Sequence, residues 1–67
     1  METLSQFQLQ VIQLVAHGLK NREIAGELGI SEHVVRNSLA EIYDKIGVSN
    51  RVELVMWYWA RIQEGSL

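Results

Sequence analysis

Cysteine and proline are both absent from this chain of 67 residues. Without cysteine there is neither a disulfide framework nor a thiolate metal site, so so small a chain must rely on helix packing or on association with a second copy. Without proline, punctuation falls to the five glycines. Charge of one sign is missing too: six Lys and Arg stand against eight Asp and Glu, a formal charge of −2. The chain as a whole therefore exerts no pull on a polyanion, and any contact with nucleic acid must come from a local patch. The longest apolar run, Leu54 to Ala60, is far short of a bilayer span, and the opening METLSQF has no basic segment leading into an apolar one. A cytoplasmic chain without a membrane partner is the expectation.

A chain of this length makes one domain, 1–67, and buries about 60% of the surface its unfolded form exposes, which leaves little room for an enzymatic cleft. No carboxylate pair, nucleophile with a base, glycine-rich phosphate loop or metal cluster stands at a workable spacing. The expectation is a non-enzyme with no cofactor. His17 reads as a last-turn residue favoured by the helix dipole, and neither it nor His33 has a second metal ligand at a suitable distance in sequence.

What is present is helical punctuation. Gly18, Gly29, Gly47 and Gly65 read as stops, while Ser5 with Gln8 three residues on, Ser31, and Asn50 with Glu53 read as starts; Asn21 is a fourth candidate cap. A short side-chain oxygen accepts from the first helical N–H groups, which have no internal partner, and contributes about 1 kcal/mol. The chain reads as all-α, a compact domain of four helices near 6–17, 22–28, 32–46 and 51–63. In the third helix Val35, Leu39, Ile42, Tyr43 and Ile46 recur at three- and four-residue steps and form the core side. The opposite side carries His33, Val34, Asn37, Ala40, Glu41 and Asp44, with Arg36 on its flank.

Ile24, Ala25, Leu28, Gly29, Ile30 and Val35 follow a helix-turn-helix pattern: a small residue lets two helices approach, glycine permits the tight turn, and apolar residues lock the pair. From Leu4 to Val55 the chain resembles the LuxR-type, or GerE-like, domain found at the C-terminus of many bacterial response regulators. The matching residues are Leu4-Ser5, Gly18-Leu19, Asn21 to Ala25, Leu28, Ile30 to Glu32, Val35 to Asn37, Leu39, Ile42-Tyr43, Lys45, Gly47-Val48, Asn50-Arg51 and Glu53 to Val55.

The resemblance implies a transcriptional regulator whose third helix enters the major groove of double-stranded DNA. Carried over by position, Arg36, Asn37 and Ala40 match base-reading places, while Lys20, Arg22 and Val34 match places near the phosphates. His33 and Glu41 join the base-reading set, and Lys45 the phosphate set. The chemistry suits those roles: Arg36 can fork onto guanine, Asn37 can pair with the adenine edge, Ala40 can touch a thymine methyl, and Glu41 can accept from cytosine. Backbone N–H groups at the starts of the second and third helices can add phosphate contacts. The resemblance also implies a regulatory domain preceding this one in longer chains.

Several positions depart from the family pattern. Val34 stands where threonine is common, which removes a hydroxyl; Ser38 replaces a larger residue; Phe7-Gln8 replaces an Arg-Glu pair; and Tyr58 replaces a small residue. Between Lys20 and Arg51 the acids Glu23, Glu27, Glu32, Glu41 and Asp44 balance the bases Lys20, Arg22, Arg36, Lys45 and Arg51. Steering toward DNA is accordingly weak, and two copies on adjacent half-sites are needed for useful affinity.

The fourth helix, RVELVMWYWARIQ, is apolar over more of its circumference than one core contact requires. Leu54, Val55, Tyr58 and Ile62 form one stripe, taken as the core side. Val52, Met56 and Trp59, flanked by Gln63, form a second, on which a symmetric homodimer is expected. The competing expectation for this helix is that Met56 and Trp59 cap the core while Trp57 lies loosely on the surface. The competing function is a protein-interaction or inhibitory module that keeps the fold, binds DNA weakly or not at all, and pairs through the fourth helix.

Overall fold

Each helix begins where a local acceptor is available. In the computed structural model, which describes residues 3–66, α1 (Gln6–Ala16) opens on a reciprocal pair: Gln8 N donates to Ser5 Oγ at 3.0 Å and Ser5 N donates to Gln8 Oε1 at 2.9 Å. α3 (Glu32–Ile46) opens on Ser31, whose Oγ accepts from Val34 N at 3.2 Å. α4 (Arg51–Glu64) opens on Asn50, whose Oδ1 accepts from Glu53 N, while Glu53 reaches back to the N–H of Ser49.

α2 (Asn21–Leu28) corrects the expected cap. Lys20, not Asn21, is the extended residue before the helix, and an ammonium side chain has no lone pair with which to accept. Only the return half of the pair forms, with Lys20 N donating to Glu23 Oε1 at 2.8 Å. Asn21 lies inside the helix, its side chain turned to Arg51 instead. α1 also stops one residue early: His17 is its C-cap, and His17 Nδ1 donates to the Gln13 carbonyl at 2.6 Å.

The turn between α2 and α3 depends on Gly29, at φ +68°. A Cβ there would meet nothing within 4 Å, so any cost of a side chain is purely backbone strain. Left-handed geometry costs an L-residue about 1–2 kcal/mol. Gly29→Ala is expected to lower the midpoint of thermal unfolding by roughly 4–8 °C per kcal/mol in a domain of this size. Melting followed by circular dichroism checks it, and an unchanged midpoint would show that the turn relaxes at no cost.

The core is drawn from all four helices: Val11, Ile12 and Val15 from α1, Ile24 and Ala25 from α2, Val35, Leu39 and Ile42 from α3, and Leu54 and Tyr58 from α4. α1 is the central element, touching the other three; α2 and α3 pack on each other, and α4 lies mainly against α1. Tyr43 and Ile46 are half-buried at the core edge, as the third-helix stripe requires. The fourth-helix stripe needs one correction. Leu54 and Tyr58 are buried and Val55 is half-buried, but Ile62 is 39% exposed. Each four-residue step advances about 40° around a helix, so by the last turn the stripe has rotated off its contact with α1. Among the described residues no helix is long and apolar enough to cross a membrane.

Two cations tie distant segments together. Lys45 Nζ donates to the Thr3 carbonyl and to Gln8 Oε1, both at 3.0 Å, and so joins the end of α3 to the start of α1. Arg51 donates from one guanidinium nitrogen to Asn21 Oδ1 at 2.8 Å and from another to the Leu19 carbonyl at 2.6 Å. It thereby clamps the start of α4 onto the loop leading into α2.

Candidate nucleic-acid interface

The same alternation that buries Val35, Leu39 and Ile42 turns the opposite side of α3 outward. His33, Val34, Arg36, Asn37, Ala40, Glu41 and Asp44 are all exposed, while Ser38, between the two sides, is buried. The candidate base-reading set His33, Arg36, Asn37, Ala40 and Glu41 therefore lies together on one helix, on a surface that no other part of the described chain covers.

Two of these side chains are held from one turn earlier. Arg36 stands 3.8 Å from the Glu32 carboxylate, an exposed pair at i and i+4, and Asn37 Nδ2 lies 3.3 Å from His33 Nε2. Surface ion pairs of this kind contribute about 0.3–0.5 kcal/mol. At that strength Glu32 biases Arg36 without preventing it from reaching elsewhere. Glu32 itself sits in the first turn, where the helix dipole favours an acid.

The candidate phosphate contacts divide. Lys20 and Arg22 are exposed and line a shallow depression shared with Gly18, Leu19, Asn21, Arg51 and Glu32. The start of α2 and the start of α3 thus meet on one surface. Among the described residues no side chain caps the first N–H groups of α2, because its cap is a lysine. Val34, at 41% exposure, places an apolar side chain on the outward side of α3, where a hydroxyl would have been a donor. Lys45 does not join the group: its ammonium is half-buried against the start of α1 and engaged with Thr3 and Gln8.

Arg51 is the residue that sequence reasoning matched but gave no role. It lines the depression while bracing Asn21 and Leu19, so it sets the position of Lys20 and Arg22 rather than standing apart from them. One signal was available beforehand. A cation at the first position of a helix opposes the helix dipole, which marks a residue kept there for a partner elsewhere.

On α4 the second stripe is open. Val52 is 68% and Met56 66% exposed, and Gln63 is exposed beside them. Trp59 is less free, with its ring edge-on to Tyr58 and His17 at centroid distances of 5.1 and 5.9 Å. Trp57 is not loose: it is half-buried against the core, with the Arg61 guanidinium 5.1 Å from its ring centroid. Met56, in turn, does not cap the core.

Residues 2–58 match the family described as bacterial regulatory proteins, luxR family. The chain is similar to the transcriptional regulatory protein YdfI of Bacillus subtilis, at 40% identity over 52 residues that make up 78% of this chain and 24% of that protein. The transcriptional regulatory protein DesR of the same organism is also 40% identical over 52 residues, 78% of this chain and 26% of its own. The transcriptional regulatory protein UhpA of Escherichia coli is 42% identical over 53 residues, 79% and 27% of the two chains. The chain thus spans about a quarter of the length of these relatives. With a helix-turn-helix placed as the pattern requires and a match covering most of its length, the chain belongs to the luxR family of bacterial regulatory proteins.

Proposed function

We propose that this domain binds double-stranded DNA sequence-specifically as the output part of a transcriptional regulator, with α3 in the major groove. The observation that carries this reading is the single uncovered surface on which Arg36, Asn37 and Ala40 lie beside the depression lined by Lys20 and Arg22. Arg36, Asn37, Ala40, His33 and Glu41 face base edges; Lys20, Arg22 and the N–H groups opening α2 face phosphates, with Val34 against the sugar-phosphate wall. The domain acts as a homodimer through Val52, Met56, Trp59 and Gln63 on α4, and receives its signal from a preceding regulatory domain of a longer chain. Cytoplasmic location follows from this role.

A second reading is favoured by the local charge balance and by Val34: a module that keeps the fold, pairs through α4 and binds DNA poorly. Titrating selected duplexes at several salt concentrations separates the two. Specific binding that weakens linearly in log salt supports the first reading, and no binding at low salt overturns it. Arg22→Ala is expected to weaken binding uniformly across sequences and to lower the salt slope by about one.

A further inference from the structure

Asn37 is an ambiguous reader by itself. Its amide can present an acceptor and a donor, the combination that fits the adenine edge, or turn over and lead with both N–H hydrogens, which suits the two acceptors of guanine. Something must set which way it points. Its Nδ2 lies 3.3 Å from His33 Nε2, one helical turn back. An amide NH₂ can only donate, so in this arrangement Nε2 is the lone-pair nitrogen and the ring hydrogen sits on Nδ1. One amide hydrogen is thereby spent on His33, leaving the other hydrogen and Oδ1 free to face outward.

We infer that His33 is a positioning residue that selects the adenine-reading face of Asn37 and so sets base preference at this point of the operator. The inference rests on the proposed DNA reading for its consequence, but not for the contact itself. A side chain at position 33 that offers only a donor would draw Oδ1 of Asn37 inward instead. Both amide hydrogens would then face the groove, the pattern that favours guanine.

The neighbourhood leaves this contact to the two side chains. Among the described residues no hydrogen bond or ion pair reaches His33 from another element. Its charged neighbours on α3, Glu32 and Arg36, pair with each other at 3.8 Å. Both His33 and Asn37 are exposed, and their mutual contact is what holds the amide.

Two measurements test the proposal. In the free domain, nitrogen shifts of the His33 ring are expected to show the Nδ1–H form, and His33→Ala is expected to move the Asn37 side-chain amide signals. On DNA, the preference for adenine over guanine at the position that Asn37→Ala makes indifferent is expected to fall by roughly tenfold in His33→Ala, and further in His33→Lys, which offers only a donor, while both variants still melt cooperatively. Neither change is expected to alter preference in an Asn37→Ala background. A ring in the Nε2–H form, or an adenine preference unchanged in His33→Ala, overturns the role given to His33. Failure to bind any duplex at low salt overturns the DNA reading, and its consequence for His33 falls with it.

Discussion

Arg36→Ala is expected to lower affinity for the preferred duplex by roughly 5- to 150-fold, because a bidentate arginine–guanine contact contributes about 1–3 kcal/mol of discrimination. Affinity for unrelated duplexes should change far less. A base contact discriminates between sequences, whereas a phosphate contact such as that proposed for Arg22 acts on all of them alike. Stability cannot account for so large a loss. The side chain is 58% exposed, the Glu32 carboxylate lies 3.8 Å away, and exposed pairs at this spacing contribute a few tenths of a kcal/mol. Alanine in a helix interior returns a comparable amount. Fluorescence anisotropy on preferred and scrambled duplexes, beside a thermal melt of each variant, separates the two effects. Equal losses on both duplexes would move Arg36 to the backbone-contacting group.

The competing interaction-module reading turns on the same residue. Glu32 and Arg36 already satisfy each other, and the acids between Lys20 and Arg51 match the bases in number. Their placement weakens that objection. Glu32 is in the first turn of α3, where its charge is partly offset by the helix dipole, and Asp44 lies near the other end, about 18 Å further along the axis at 1.5 Å per residue. Glu41, four positions beyond Asn37, lies on the candidate reading surface and makes no ion pair among the described residues. The electrostatic case against DNA thus reduces to one carboxylate and the hydroxyl missing at Val34, set against Arg36, Asn37, Lys20 and Arg22.

What could be read from the chain follows the range of the interactions concerned. Ser5 with Gln8, Ser31 and Asn50 cap their helices through bonds spanning three residues, so the chemistry of the cap is written beside the helix it starts. The buried side of α3 and its outward face follow from periodicity alone. Lys45 shows the opposite case: its partners, Thr3 and Gln8, lie 42 and 37 residues away, and nothing in its surroundings distinguishes an ammonium bound for a carbonyl from one bound for a phosphate. Arg51 and Asn21, 30 residues apart, mislead in the same way, since an asparagine at a helix start reads as a cap until a distant guanidinium claims it. Ile62 reads as core because a stripe drawn at four-residue steps drifts, and only the placement of α1 shows where contact ends.

Met56→Asp is expected to leave the monomer folded and to separate the proposed dimer. The side chain is 66% exposed, so the change creates no cavity, and aspartate in the middle of a helix costs roughly 0.5 kcal/mol in propensity. In a two-fold interface each residue of the patch faces the same patch on the partner. Two carboxylates would then be brought together in a desolvated, apolar surface formed by Val52, Met56 and Trp59, where their burial is strongly unfavourable. Sedimentation is expected to change from concentration-dependent to monomeric. The larger consequence is on DNA. A single domain with balanced local charge binds a half-site weakly, and joining two converts the second contact into an intramolecular one, a gain of about 10²–10⁴ without any new base contact. The variant should lose that factor on paired half-sites and nothing on an isolated half-site. Wild-type protein that stays monomeric at high concentration, or a variant that binds paired half-sites undiminished, would assign the exposed stripe of α4 to something other than a second copy of this chain.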